Sequence, residues 1–216
     1  MGRFQDIELE IKGKIGIIKF NRPKALNSFG GKILVETITA IRELNTHPDT
    51  IFTVLTGNGR FFSAGADVKA EAGNHQAHAN DAEKKLAFLA RFSSTIELLR
   101  SIIDHKKVFV LALNGPGVGG GAAWFQGVSD ICVAAAGAYL QVPFSALGLV
   151  PENGSAVSFA QSIGVHRAND FLMFGRQLTV EEMEQVCDVS HMICTCLDLQ
   201  LAVGNGKQNI PERKLP

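Results

Sequence analysis

Two segments rich in glycine and alanine, Leu113 to Trp124 (LNGPGVGGGAAW) and Phe61 to Lys69 (FFSAGADVK), hold the residues from which chemistry is most readily built. The first follows the apolar run Val108 to Leu113 and leads into Asp130 to Ala134 (DICVA). A strand that ends in a glycine cluster and turns straight into a helix leaves backbone N–H groups unpaired at the helix start, where they stabilise negative charge. The second segment has the same design. Two small-residue loops with free amides predict an oxyanion hole for acyl chemistry, and small side chains let the backbone itself approach the reacting group. Such a hole needs an acid or base beside it.

The elements that must carry these loops follow from the hydrophobic pattern. Ile7 to Ile11 and Ile15 to Phe20, separated by Lys12-Gly13-Lys14, read as a β-hairpin. Ile33, Ile38, Ile41 and Leu44 recur at helical spacing before Pro48, and Ile51 to Leu55 reads as a strand. Glu71 to Asp81 is polar enough for a mobile loop. One long helix is expected from Asp81 to Ile103, burying Leu86, Leu89, Phe92, Ile96, Leu99 and Ile103. Strands at 108–113 and 130–134 flank the glycine loop and a short helix. Helices are expected at 153–163 and 165–174, and a last one starts at Thr179, where Thr179-Val-Glu-Glu182 has capping-box spacing. Strands alternating with helices imply an α/β fold with largely parallel pairing.

Composition narrows the function classes. In 216 residues, 21 Lys and Arg balance 21 Asp and Glu, so no overall charge favours nucleic acid or an anionic membrane surface. No apolar run has the length of a membrane span, the N-terminus is polar, and the expected setting is intracellular. Cys132, Cys187, Cys194 and Cys196 suit a reducing compartment, and the spacing of the last three around His191 matches no usual zinc pattern. No metal site is expected.

NRPKALN at Asn21 to Asn27, FFSAGADVK at Phe61 to Lys69 and NGPGVGGG at Asn114 to Gly121, in that order and followed by SDICVAA and VPFSALGLVPENG, resemble the enoyl-CoA hydratase/isomerase (crotonase) family. The resemblance covers roughly residues 5–186 and then fades. It implies a crotonase-like spiral of β-β-α units with a helical C-terminal part, incomplete relative to the family, over a domain at 1–186. The divergent tail, 187–216, is expected to be poorly ordered. It further implies an acyl-CoA thioester as substrate and partner, no cofactor beyond the coenzyme A of that substrate, and a homo-trimer or hexamer. The amides that hold the thioester oxygen fall by motif on Ala66 and Gly120, and each such donor is worth roughly 3 kcal/mol to the developing enolate. Coenzyme A falls to Lys24, Ala25 and Leu26 of the NRPKALN turn and to Ala64, Gly65, Ala66, Asp67 and Val68. Lys24 and Lys69 are candidate phosphate contacts, although surface lysines are more often simply solvated. Asp67 has a second reading as a helix cap.

Hydratases of this family carry two glutamates, and the corresponding positions here hold Ala123 and Phe144, neither of which transfers a proton. A carboxylate stands instead at Glu152, in GLVPENG, where the Δ3,Δ2-enoyl-CoA isomerases of the family, especially the peroxisomal fungal kind, carry their single base. One base suffices to take a proton from the α carbon and return it to the γ carbon. Taken locally, Pro151-Glu152 reads first as a helix start; the acyl-CoA framework lacking both hydratase carboxylates favours the catalytic role. Phe144, Leu147, Leu149 and Val150 are either the apolar setting of that glutamate or ordinary core. Trp124 and Phe125 either line the acyl channel or pack against the sheet.

A hydratase with a non-standard site and a non-catalytic acyl-CoA-binding relic remain as alternatives. Gly115-Pro-Gly117-Val-Gly-Gly120 also fits the G-x-G-x-x-G of dinucleotide-binding oxidoreductases, but no acidic residue ends the next strand. The pathway stays open between fatty-acid β-oxidation and a fungal, toxin-like secondary metabolite. The resemblance implies a peroxisomal location, otherwise cytoplasmic; Lys214-Leu215-Pro216 is not a standard peroxisomal address.

Overall fold

The computed structural model describes residues 3–68 and 79–186. Lys69, most of the expected loop from Glu71 to Asp81, and the tail with Cys187, His191, Cys194 and Cys196 lie outside them. β1 (Ile7–Lys12) and β2 (Ile15–Phe20) form the expected antiparallel hairpin, with Lys12 opposite Ile15. β3 (Phe52–Gly57), β4 (Val108–Leu113) and β6 (Ile131–Ala134) then add in parallel, giving the order β1-β2-β3-β4-β6. Between β4 and β6 lie β5 (Gly117–Val118) and the short helix α4 (Gly120–Ala123). β5 pairs with β7 (Tyr139–Gln141), and β7 with β8 (Leu178–Thr179), in a second sheet. None of these three strands is expected from the sequence, because two or three residues are too few for a period to emerge.

α1 (Ile33–Thr46) buries Ile33, Ile38, Ile41 and Leu44, the stripe expected from spacing. It approaches the sheet closely at Gly16, where an added Cβ would lie 2.4 Å from a Leu44 methyl. The expected long helix is two, α2 (Asp81–Ala90) and α3 (Ser93–Ile103). The chain tightens between them through Arg91 N–H to Phe88 O and Phe92 N–H to Leu89 O, each spanning three residues, and the Ser93 hydroxyl donates to Ala90 O.

The expected buried face also needs correction. Leu86, Leu89, Ile96 and Ile103 are exposed, α2 buries nothing, and α3 buries Thr95, Leu98, Leu99, Ser101 and Ile102. Periodicity locates an amphipathic helix but not the side that its neighbours cover. α5 (Ser155–Ile163), α6 (Val165–Phe174) and α7 (Val180–Val186) follow. The expected capping box forms reciprocally: Thr179 N–H donates to Glu182 Oε2 at 3.1 Å and Glu182 N–H to Thr179 Oγ1 at 3.3 Å.

The core directly beneath the two loops is aromatic. Phe62, from the FFSAGAD segment, meets Phe125, just past the glycine run, edge-on at 5.5 Å, and both rings adjoin Phe20. Each such contact contributes about 0.5–1.5 kcal/mol beyond the area it buries, so the loops rest on a rigid floor.

Candidate active site

Three backbone segments converge above that floor. Phe62 N–H donates to Pro116 O and Val118 N–H to Ser63 O, joining the FFSAGAD loop to the glycine loop at 3.1 and 2.8 Å. Ala64 N–H donates to Leu26 O, and Phe29 N–H to Gly65 O, at 2.9 and 2.7 Å, which brings in the NRPKALN turn. Leu26 and Asn27 of that turn both have positive φ, 51° and 54°. The fully buried Asn27 side chain holds it there: it accepts from Arg22 N–H at 2.9 Å and donates to the carbonyls of Asn58 and Phe61 at 3.0 and 2.8 Å. Asn114, at the end of β4, ties down the adjacent turn in a similar way, accepting from Gly57 N–H and donating to Gly59 O, each at 2.9 Å.

Glycine is required where the loops cross. Gly65 has φ +81°, and a Cβ there would meet Val118 O at 2.7 Å and Gly120 N at 3.1 Å. A Cβ on Gly121 would meet Ser63 O at 2.6 Å, and one on Gly115 would meet Arg60 O at 2.2 Å. The G-x-G-x-x-G pattern therefore serves close packing of two loops: Gly115 and Gly117 face the neighbouring backbone.

Gly119, at φ 56° and ψ −124°, turns the chain into α4, and its carbonyl accepts from Ala122 and Ala123. Gly120 thus opens a helix of four residues, and neither its N–H nor that of Ala66 donates to an acceptor among the described residues. So short a helix adds little macrodipole; it offers the Gly120 N–H, and the FFSAGAD loop offers that of Ala66.

These groups border a cavity of about 540 Å³. Of the residues singled out from the sequence, Lys24, Ala25, Leu26, Ala64, Ala66, Asp67, Val68, Gly120 and Glu152 line it. Gly65 does not: it lies behind the wall, its N–H directed to Ser63 Oγ at 3.1 Å. Asp67 is held by Arg22 Nη2 at 3.2 Å and by the Ser28 hydroxyl at 3.2 Å, and Arg22 also faces Asp6 at 3.8 Å.

The far wall comes from the segment after β7, where Pro143, Phe144, Leu147, Leu149 and Glu152 face the cavity. Phe144 is buried, whereas Leu147, Leu149 and Val150 are more than half exposed, so that rim is open and apolar. Glu152 is three residues ahead of α5 and outside its first turn; its carbonyl accepts from the Ser155 N–H and hydroxyl at 3.0 and 2.7 Å. The local reading of Pro151-Glu152 as a helix start therefore fails. The carboxylate instead accepts the Trp124 indole N–H at Oε1, 3.0 Å away.

Trp124 lines the cavity and Phe125 belongs to the core. Ala123, at one hydratase-glutamate position, is buried, and Phe144 occupies the other, so the carboxylates among the described lining residues are Asp67 and Glu152. Ser28, Val118, Gly119 and Pro143 complete the wall unforeseen as lining. Val118 and Gly119 stand within the glycine motif, Pro143 within VPFSALGLVPENG, and Ser28 directly after NRPKALN. Among the described residues no three His, Cys, Asp or Glu side chains converge as metal ligands would.

A family model described as enoyl-CoA hydratase/isomerase matches residues 10–197. Over 182 residues the chain is 31% identical to a Delta(3,5)-Delta(2,4)-dienoyl-CoA isomerase of Pyricularia oryzae, covering 82% of this chain and 65% of that protein. It is 33% identical over 174 residues to enoyl-CoA delta isomerase 2 of Rattus norvegicus, covering 79% of this chain and 42% of the relative. The crystal structure of an enoyl-CoA hydratase from Bacillus anthracis is similar with a TM-score of 0.79 at 25% identity, covering 92% of this chain and 74% of that one. The fold is crotonase-like, and the chain spans less than two thirds of the length of the Pyricularia and Rattus relatives.

Proposed function

The chain belongs to the enoyl-CoA hydratase/isomerase family, and from that premise we propose that it binds a fatty-acyl CoA thioester in the cavity and shifts a carbon–carbon double bond. The thioester oxygen sits between the Ala66 and Gly120 N–H groups. Glu152 takes a proton from the α carbon, the charge moves onto the thioester oxygen as a dienolate, and the two amides stabilise it. Glu152 then returns the proton to the γ carbon, so a 3-enoyl thioester becomes a 2-enoyl thioester with no net gain or loss of atoms. A 3,5-dienoyl thioester follows the same path across one further double bond, the proton returning to the sixth carbon.

The observation that carries this reading is the single available carboxylate among the described lining residues. Glu152 faces the cavity that Ala66 and Gly120 border, while the two hydratase positions hold alanine and phenylalanine. Asp67, the other carboxylate on the wall, is engaged by Arg22 and Ser28. Water addition needs an activated water together with a proton donor to carbon, and one carboxylate serves both poorly.

The rest of the proposal follows the same line. Lys24, Ala25, Leu26, Ala64 and Val68 hold the coenzyme A portion, the enzyme takes part in fatty-acid β-oxidation, it assembles as a trimer or paired trimers, and it resides in the peroxisome.

Incubation with 3-enoyl-, 3,5-dienoyl- and 2-enoyl-CoA in heavy water tests the chemistry. Double-bond migration supports the isomerase, with deuterium entering at the α or γ carbon of the 3-enoyl substrate or at the α or sixth carbon of the 3,5-dienoyl one. Hydration of the 2-enoyl thioester alone overturns it in favour of a hydratase, and thioester binding without turnover overturns it in favour of a non-catalytic binder. Light scattering on purified protein tests assembly, and imaging of a tagged chain tests location.

A further inference from the structure

We propose that Trp124 is the positioning residue of the catalytic base, a role that rests on the isomerase reading of Glu152. The indole is fixed from two sides. One face stacks on Phe29, with ring centroids 4.7 Å apart and planes at 16°. Its six-membered ring lies against Gly120, where an added Cβ would meet it at 2.6 Å. So held, its N–H is aimed at Glu152 Oε1, 3.0 Å away and 28 positions along the chain.

An indole nitrogen donates and cannot accept, so Trp124 neither takes a proton nor competes for one. It occupies one carboxylate oxygen, and Oε2 has no partner among the described residues. Oε2 is then the oxygen that moves the proton. The same short segment supplies both halves of the machinery: Gly120, the first residue of α4, presents the amide for the thioester oxygen, and Trp124, the residue after α4, orients the base. Four residues thereby set the distance between oxyanion donor and carboxylate, and a proton transfer that depends on reach demands such rigidity. The reaction also moves one proton between two carbons, so the carboxylate must swing over a restricted arc without leaving the site. A single anchored oxygen permits that motion.

This chain contains one tryptophan, so its indole N–H gives one signal in a proton–nitrogen NMR spectrum. Replacing Glu152 by alanine in labelled protein is expected to move that signal and speed its exchange with solvent; an unmoved signal overturns the contact whatever the activity. In kinetics, Trp124→Phe retains an aromatic ring for Phe29 and loses the donor together with part of the indole's bulk. It is expected to lower kcat about 10- to 100-fold, the scale of a hydrogen bond to a charged group, with KM little changed. In a Glu152→Gln background the same replacement is expected to add nothing further, because a group that acts through Glu152 has nothing left to orient. Equal losses in both backgrounds overturn the positioning role and leave a packing residue. If Glu152→Gln itself keeps full turnover, the base assignment fails and the positioning role falls with it, while a moved indole signal still establishes the contact.

Discussion

Replacing Gly65 by alanine probes the joint on which both proposed oxyanion donors depend, although Gly65 itself does not line the cavity. The new methyl group would sit 2.7 Å from Val118 O, 3.1 Å from Gly120 N and 3.3 Å from Gly119 Cα, all backbone atoms that cannot swing aside as a side chain can. At φ +81° the non-glycine backbone costs about 1–2 kcal/mol, and forcing a methyl into a filled space adds about 1–3 kcal/mol. The expected destabilisation is therefore about 2–5 kcal/mol, read by urea denaturation.

Relief of the clash must push the two loops apart, and the group displaced is the Gly120 N–H. Loss of one aimed donor lowers kcat about 10²–10³-fold, whereas thioester affinity, spread over the rest of the cavity, changes much less. Gly137→Ala is the control: it shares a positive φ, +79°, but has nothing within 4 Å, so it should cost only the conformational part and leave turnover intact. A folded Gly65→Ala protein with kcat within about twofold of the parent would refute the reasoning, since the amide geometry would then tolerate the displacement.

Asn27→Ala strips three hydrogen bonds from a buried left-handed turn and should cost about 2–4 kcal/mol in denaturant titration; a loss below about 0.5 kcal/mol would mean that the turn is held by other contacts. Arg22→Met leaves Asp67 and Asp6 without their shared guanidinium, and since these groups are largely shielded from solvent a loss of about 1–2 kcal/mol is expected by thermal melting, with weaker thioester binding by calorimetry. His105 is half buried against Phe109, its Nε2 2.8 Å from Thr53 Oγ1 and its Nδ1 buried without a partner among the described residues. Burial, then the nearby Lys107 charge, push its pKa below the ordinary 6.5, with Asp130 opposing. The unfolded chain therefore binds a proton that the folded one resists, and stability should fall as pH drops below about 6.5 toward the folded value, a slope that His105→Gln removes; an unchanged slope in that variant would reject the assignment.

The portions of the site made of contiguous backbone were legible without coordinates. An amide donor needs small neighbours and a turn, and both show as letters in SAGAD and GGG; Ala66 and Gly120 accordingly border the cavity. The hairpin, α1, β4, α5 and α6 were legible because period and breakers agree over enough residues. The split between α2 and α3 and the exposure of Leu86, Leu89, Ile96 and Ile103 were not. An apolar stripe shows that a face exists, and the partner that covers it is set by distant chain.

The sequence by itself determined the family, the three motif segments and the absence of both hydratase carboxylates, since each depends on which residue occupies which place. Tertiary structure alone decided that Gly65 is a joint behind the wall, that Asp67 is engaged by Arg22, and that Glu152 meets Trp124. Those facts turn on where separate strands and turns bring their ends together. Glu152 and Trp124 meet because β6, β7 and the loop after them carry residues 143–152 back over α4. No local pattern encodes that return: it arises from strand pairing and core packing summed over the whole chain, and the same letters on another path would leave the carboxylate in solvent.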